Sequence, residues 1–425
     1  MKVVAFVLVV GLASCQISNY QHDFYMAERF YVAGDYSRAI DMYIEAIRVK
    51  DKKAEAFFGL AMAYYQRGDL EEAMLAFEKA IELDPDRESA YQRLASVHLD
   101  LGNPDTAIAL CRKAIKMDKE FVEAYNTLGH ALLASGRPDS AESTFSYAIN
   151  LARNLASKDR GYGYRSLYLD EQAASHNGLG EVDLSRKLYT HALQDFGVAI
   201  VLAPDWDTPW YNKGLAYEGL GNSVAAIISY LRAIDLAPKN LNTYKQLAEL
   251  YRRIGKDGDA IDIYRSALRV DPTDVEVYYG LADIYEKRRD YFRAAGAFEN
   301  IIKYAPDDPT GYFRTGRMYL TEADYDHAIV YFRKATELDS RHAESINGMG
   351  EAYQAKGEFK EARRAFERAI ACDSLYTLPI RNLGSMLIGQ GNEPEGIRYY
   401  LKAAALGDID AMIFLRTREN NRKKE

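Results

Sequence analysis

The side chains best suited to metal binding or nucleophilic chemistry are seven histidines (His22, His98, His130, His176, His191, His327, His342) and three cysteines (Cys15, Cys111, Cys372). No two histidines have the H-E-x-x-H spacing that sets two imidazoles on one helical face. No Gly-rich phosphate loop and no nucleophile elbow occurs. Acidic pairs such as Glu71-Glu72 belong on solvated helix faces. The chain therefore offers no catalytic constellation and no metal site, and neither an enzyme activity nor a cofactor is expected. Cys111 and Cys372 read as small buried hydrophobes. Cys15 differs, because it directly follows an apolar run ending in Leu12-Ala13-Ser14.

The elements that carry these residues follow from composition and pattern. The 425 residues have a net charge of −8, which argues against a phosphate-tracking nucleic-acid binder. Tyr occurs 33 times and Pro 11 times, as suits a largely helical chain in which Tyr fills a recurring position. At the start, Met1-Lys2 is a minimal basic region and Val3 to Leu12 is apolar. That run is too short to span a bilayer and has the length of a signal-peptide core. Leu12-Ala13-Ser14-Cys15 resembles the lipobox of bacterial lipoproteins. The resemblance implies cleavage before Cys15 and acylation of its sulfur and new amine. Several acyl chains anchor stably where one is marginal. Residues 1–14 are thus expected to be a signal peptide and 15–19 a lipidated Cys with a short tether. The expected location is a bacterial membrane surface, with the protein on the outer membrane facing the periplasm.

A 34-residue period accounts for the rest. Gly68-Asp69-Leu70-Glu71-Glu72-Ala73, ending in Leu83-Asp84-Pro85, recurs, and Pro238, Pro272 and Pro306 are 34 apart. This pattern resembles the tetratricopeptide repeat (TPR) closely. Eleven repeats begin at residues 20, 54, 88, 122, 173, 207, 241, 275, 309, 343 and 377. The small residue of helix A (Ala61, Ala95, Gly129, Gly214, Ala248) allows close helix approach. Three residues later an aromatic (Phe30, Tyr64, Tyr217, Tyr251, Tyr285) is expected to fill the space between helices. The turn Gly (Gly34, Gly68, Gly102, Gly136, Gly221) ends helix A in a left-handed conformation. Ala39, Ala73, Ala107 and Ala141 mark the crossing in helix B. The fold expected is all-α, a right-handed superhelix of eleven helix pairs with a concave face. It is divided into repeats 1–4 (20–155), an insertion (156–172), repeats 5–11 (173–410) and a capping helix with a basic tail (411–425).

Several positions depart from the pattern. Lys187, Arg289 and Ala323 stand where the turn Gly is expected, and Gly396 replaces the helix-B Ala. The insertion contains Gly161-Tyr162-Gly163-Tyr164 between Arg160 and Arg165, and reads either as a lengthened connection or as a contact loop or hinge. Tyr162 and Tyr164 are its contact candidates. In the cap, Ala411, Met412, Phe414 and Leu415 are expected to cover the last repeat, because a solenoid end otherwise exposes core.

TPR proteins bind peptides on the concave face, and the resemblance carries that role to the matching positions here. They are Phe24, Tyr31, Phe58, Tyr65, Tyr211, Tyr279 and Phe313, with Lys245, Arg252 and Arg253. Exposed aromatics and Arg suit a protein or peptide partner; the other reading is that some of them pack under neighbouring helices. Phe58, Tyr65, Tyr211 and Tyr279 are expected to project away from the packing. The Asn ladder of TPR glycosyltransferases is not matched, since Asn212 and Asn382 hold its position while Asn126, Asn177 and Asn347 lie one residue earlier. The function expected is a non-catalytic, lipid-anchored scaffold in a bacterial envelope assembly. Two rival readings are an accessory subunit tethering a separate enzyme such as a glycosyltransferase, and a surface ligand- or glycan-binding lipoprotein.

Overall fold

The structure, a computed structural model, describes residues 20–158 and 165–422. Cys15, Tyr162 and Tyr164 lie outside the described residues. The chain divides after Ala237 into two compact units. In the first, repeats one to three are α1 (20–32) with α2 (Tyr36–Val49), α3 (Ala54–Arg67) with α4 (Leu70–Leu83), and α5 (Glu88–Asp100) with α6 (Pro104–Met117). Repeats four to six are α7 (Val122–Ala134) with α8 (Pro138–Lys158), α9 (Arg165–Ser185) with α10 (Tyr189–Leu202), and α11 (Thr208–Gly219) with α12 (Ser223–Leu236).

The second unit begins with α13 (Leu241–Arg253) and α14 (Asp257–Val270), then α15 (Val275–Lys287) and α16 (Tyr291–Tyr304). It continues with α17 (Pro309–Thr321), α18 (Tyr325–Leu338), α19 (Ala343–Ala355) and α20 (Phe359–Cys372). It ends with α21 (Thr377–Gly389), α22 (Glu393–Ala405) and the lone α23 (Ile409–Arg422). Among the described residues there is no strand, so both units are all-α stacks of helix pairs.

The core of each unit is a row of side chains from the middle of helix B. Tyr43, Phe77, Phe145, Phe196, Tyr230, Phe298, Phe332 and Phe366 are almost fully buried, and Cys111 takes the same place in repeat three. Burial pushes the Cys111 thiol up to about 12, so it stays protonated and packs as a hydrophobe. The helix-A aromatics expected to fill the core are less enclosed: Phe30, Tyr64, Tyr217 and Tyr251 are half-buried, while Tyr285 is buried. The helix-B ring needs glycines around it. A Cβ on Gly129 or Gly178 would lie 2.5 or 2.4 Å from Phe145, and one on Gly316 or Gly348 would lie 2.7 or 2.5 Å from Phe332. The ring thus sits between the helix A of its own repeat and that of the next, and stacking is built into each repeat.

The departures have local causes. Lys187, Arg289 and Ala323 adopt the left-handed φ of the missing Gly, at 61°, 57° and 60°. Their turns keep the same bonds: Leu188 N donates to Asp183 O at 2.8 Å, as Asn103 N does to His98 O around Gly102. Gly396 replaces Ala because a Cβ there would lie 2.7 Å from the Gly384 carbonyl oxygen.

The inserted residues lengthen two helices, since α8 and α9 have 21 residues each. Leu155 of α8 and Tyr168 of α9 join one apolar cluster with Val122, Ala148 and Ala152. Both helices lie in one compact unit and share this core, which does not fit a hinge between them. In α23, Ala411 is buried and Phe414 stacks on Tyr400 at 4.1 Å. Met412 faces solvent, not the last repeat, because it lies on the far side of α23 beside exposed Ile409 and Ile413.

Candidate functional site on the A helices

The expected partner-binding aromatics lie on the A helices, and the structure gives them a common seat. Phe24, Phe58, Tyr211 and Phe313 each rest against the buried helix-B ring of their own repeat. The pairs are Phe24 on Tyr43 (5.8 Å between centroids), Phe58 on Phe77 (5.5 Å), Tyr211 on Tyr230 (5.7 Å) and Phe313 on Phe332 (6.0 Å). All four are half-buried, so each is partly enclosed and partly open to solvent. They are therefore not independent of the packing, contrary to the expectation for Phe58 and Tyr211. The Arg87 guanidinium covers the Phe58 ring at 3.9 Å, a cation–π contact.

The hydroxyl of Tyr65 bridges to the next repeat, and that of Tyr279 reaches the N-cap residue of the next helix A. Tyr65 donates to Asp100 Oδ2 at 2.7 Å, and Tyr279 donates to Asp308 Oδ2 at 2.7 Å. Burial first, then the bonded carboxylate, pushes both phenols above the ordinary tyrosine value. Tyr31 packs against Tyr36 at 5.7 Å. These contacts correct the view that Tyr65 and Tyr279 serve no packing role.

In the second unit two of the expected basic residues, Lys245 and Arg252, are bound up in ion pairs. Lys245 meets Asp274 and Glu276. Arg252 makes two bonds to Glu249, at 2.8 and 2.9 Å, and approaches Asp283 at 4.0 Å. Arg314 continues the row to Asp283, at 2.7 Å, and to Glu286. A hollow of about 320 Å³ lies among Glu249, Arg252, Arg253, Asp283, Ile284 and Lys287. Another of about 340 Å³ lies beside Phe313, Arg314, Arg317 and Met318. The surface alternates in sign, so a partner here must present both charges or displace the internal pairs.

Two buried polar nodes were not anticipated, and they match residue for residue. In the first unit Asn177 donates to Glu181 Oε1 at 2.8 Å. Asn212, on the next A helix, donates to Asn177 Oδ1 at 3.1 Å and to Glu181 Oε1 at 3.0 Å. In the second unit Asn347 donates to Glu351 at 2.8 Å, and Asn382 donates to Asn347 Oδ1 and Glu351 Oε1 at 3.1 and 3.0 Å. A basic residue of the preceding repeat completes each, His130 on Glu181 at 3.2 Å and Arg317 on Glu351 at 2.9 Å. Burial alone raises Glu181, but hydrogen bonds from His130, Asn177 and Asn212 outweigh it and hold the carboxyl below its usual value. The sequence signal was Asn and Glu four residues apart, followed by Asn 35 residues after the first.

A third site in the first unit involves the inserted segment. Asn126 donates to Glu171 Oε2 at 2.7 Å and accepts from Ser175 Oγ at 2.6 Å. Burial, then the nearby Glu123 carboxylate, pushes Glu171 up to about 7 against the Asn126 bond. Among the described residues, no group of three or more His, Cys, Asp or Glu is placed to hold a metal ion.

Comparison with known proteins agrees with this architecture. Tetratricopeptide repeat models match residues 26–88, 76–109, 98–157, 208–240, 241–284, 279–343 and 342–372. The chain belongs to the tetratricopeptide repeat family. Among solved structures it is similar to yeast Tom70, with 16% identity over 96% of this chain and 97% of that one, at a TM-score of 0.39. Two structures of MamA are 24% and 25% identical over 40% and 38% of this chain, covering 92% and 94% of theirs, at TM-scores of 0.36 and 0.35. No curated protein matches the chain.

Proposed function

We propose that the protein is a non-catalytic scaffold, held on a bacterial envelope membrane by acylated Cys15, that carries a protein or peptide partner on its A helices. The observation behind the partner reading is the set of half-open rings Phe24, Phe58, Tyr211 and Phe313. Each is held by a buried ring beneath it, so little freedom is lost when a partner covers it. Tyr31, Tyr65, Tyr279, Lys245, Arg252 and Arg253 extend this surface, with Tyr162 and Tyr164 as further contact candidates. Lipidation is supported by Leu12-Ala13-Ser14-Cys15 after its apolar run. No described helix is long and apolar enough to cross a membrane.

Cross-linking in native cells with mass spectrometry tests the partner reading. Cross-links from the A helices to one envelope protein are expected, weakened by a Phe58→Ala, Tyr211→Ala double variant that still folds. Unchanged cross-linking in that variant overturns the A-helix reading. Labelled palmitate tests the anchor: Cys15→Ser should abolish labelling and release the protein from membranes.

A further inference from the structure

We propose that a hollow on the B-helix side of the second unit receives one bulky apolar side chain from a partner helix that also carries a carboxylate one turn away. The site includes none of the rings assigned to the partner surface and is independent of the function proposed for them.

The hollow lies at a departure in repeat eight. The residue after the helix-B Ala, or after Gly396 in its place, is large and apolar in eight repeats: Ile40, Met74, Ile108, Leu193, Ile227, Ile261, Ile329 and Ile397. In the flanking repeats Ile261 and Ile329 are buried. Repeat eight has Ala295 there, followed by Gly296. A Cβ added at Gly296 would meet nothing within 4 Å. A hollow of about 430 Å³ lies beside these small residues, bounded by α14, α15 and α16. Tyr278, Leu281 and Tyr285 line it, together with Phe292, which is 89% exposed. An apolar recess beside an exposed aromatic is the arrangement in which interface anchors concentrate. A side chain inserted from outside would supply the contacts that Ile makes in neighbouring repeats, as a knob fills a hole between helices.

Charge narrows the occupant. Three lining residues are charged, two of them cations: Arg265, Arg293 and Glu299. Arg265 Nη2 stands 3.5 Å from the Tyr285 hydroxyl, and the Arg293 guanidinium lies 5.9 Å from the Tyr285 ring centre. Their carboxylate partners sit three residues away: Asp262, 3.8 Å from Arg265, is exposed, and Asp290, 3.2 Å from Arg293, is half-buried at the N-cap of α16, while both guanidinium side chains are more than half exposed. Such pairs contribute little, so either guanidinium can turn to an incoming carboxylate. The recess is open on its outer side, and the backbone of a partner helix would cover the mouth.

The test uses the full chain and a labelled alanine-based helical peptide of roughly 20 residues, long enough to hold a helix. It carries Leu and Glu four residues apart, and binding is read by fluorescence anisotropy. Ala295→Ile restores the residue of the neighbouring repeats; it should keep or raise the melting temperature while weakening the peptide about tenfold or more, the size of an anchor loss. Replacing the peptide Glu by Lys should weaken binding several-fold, and Arg265→Gln with Arg293→Gln should erase that difference. Phe58→Ala and Tyr211→Ala should bind the peptide as the wild type does. Equal binding by Ala295→Ile, no binding by the wild type, or displacement of the peptide by equimolar decanoate would each overturn the proposal.

Discussion

The two Asn–Glu nodes share one geometry and differ in the cation. In the first unit a His closes the node; in the second an Arg does. Guanidinium is a delocalised ion with a planar fork of donors, whereas imidazole is a small ring that bonds Glu181 through one nitrogen. A second contrast runs along the A helices. The first unit holds neutral amide and hydroxyl bonds, such as Gln92 to Thr127 at 2.8 Å and Ser175 to Asn126, beside a near-neutral acid, Glu171. The second holds a row of permanent ion pairs from Lys245 through Arg252 and Arg314. One repeat pattern therefore supports a surface that protons can alter and another that mainly salt can alter.

The largest effect should treat the units alike, because both are built on the same buried ring. Phe145→Ala and Phe332→Ala should each cost about 3–5 kcal/mol of local stability, the range for emptying a core aromatic site. Tyr251→Ala should cost less, since that ring is only half-buried. Hydrogen exchange with mass spectrometry reads each unit separately, and equal losses for Tyr251 and Phe332 would contradict the helix-B core.

The next effect should separate the units by pH. Glu171 is raised from 4.5 to about 7 in the folded chain, so the fold binds its proton more tightly than the unfolded chain does. Its stabilising contribution is complete below about 4.5 and is lost as pH rises through 7, on the order of 1–3 kcal/mol. Glu181 is held low and works oppositely, contributing above the usual carboxyl range and losing that as pH falls through its own lowered value. Between pH 5 and 8 the first unit should lose stability through Glu171, and Glu171→Gln should flatten the slope. An unchanged slope in that variant would remove Glu171 as the cause.

A smaller test compares the nodes directly. His130→Ala should cost about 1–2 kcal/mol, because a partly buried carboxylate loses a donor. Arg317→Ala should cost less than about 1 kcal/mol, because its side chain is 46% exposed and the pair is screened. Added salt should narrow any Arg317 effect and leave the His130 effect nearly intact.

Much of this was legible in the sequence. The 34-residue period, the pairing of helices and the left-handed turns follow from spacing, because each repeat contacts chiefly its neighbours. Spacing says which face a residue occupies but not how deeply it is covered. The helix-B ring lies between two A helices, 16 residues before it and 16 after it in the case of Phe332 between Gly316 and Gly348, so its burial depends on a repeat not yet read. The lack of inter-helix contacts in a linear pattern hid the seat of Phe24 on Tyr43 within one repeat. It also hid the Asn pairs, whose one-residue offset looks like a broken ladder along the chain and becomes a hydrogen bond across adjacent helices. The ion pairs of Lys245 and Arg252 escaped notice because their partners sit on other turns and helices.

The smallest effect concerns the turns, where the units differ in number of departures. Among the described residues, the first unit has one non-Gly residue at left-handed φ, Lys187, and the second has two in consecutive repeats, Arg289 and Ala323. A Cβ in that region clashes with the following carbonyl, at a cost near 1 kcal/mol or somewhat more. Glycine removes the clash but gives the unfolded chain more freedom, which offsets part of the gain. Ala323→Gly should therefore stabilise the second unit by about 0.5–1 kcal/mol, and adding Arg289→Gly should extend the gain, because the two turns lie in separate repeats. The first unit should not respond, because each repeat contacts chiefly its neighbours and Ala323 lies in repeat nine. Exchange rates of amides in α17 and α18 should fall in the Ala323→Gly variant while those in α5 and α6 stay constant. A loss of stability on Ala323→Gly would mean that the Ala methyl makes contacts worth more than the backbone strain, and the turn would then count as packing.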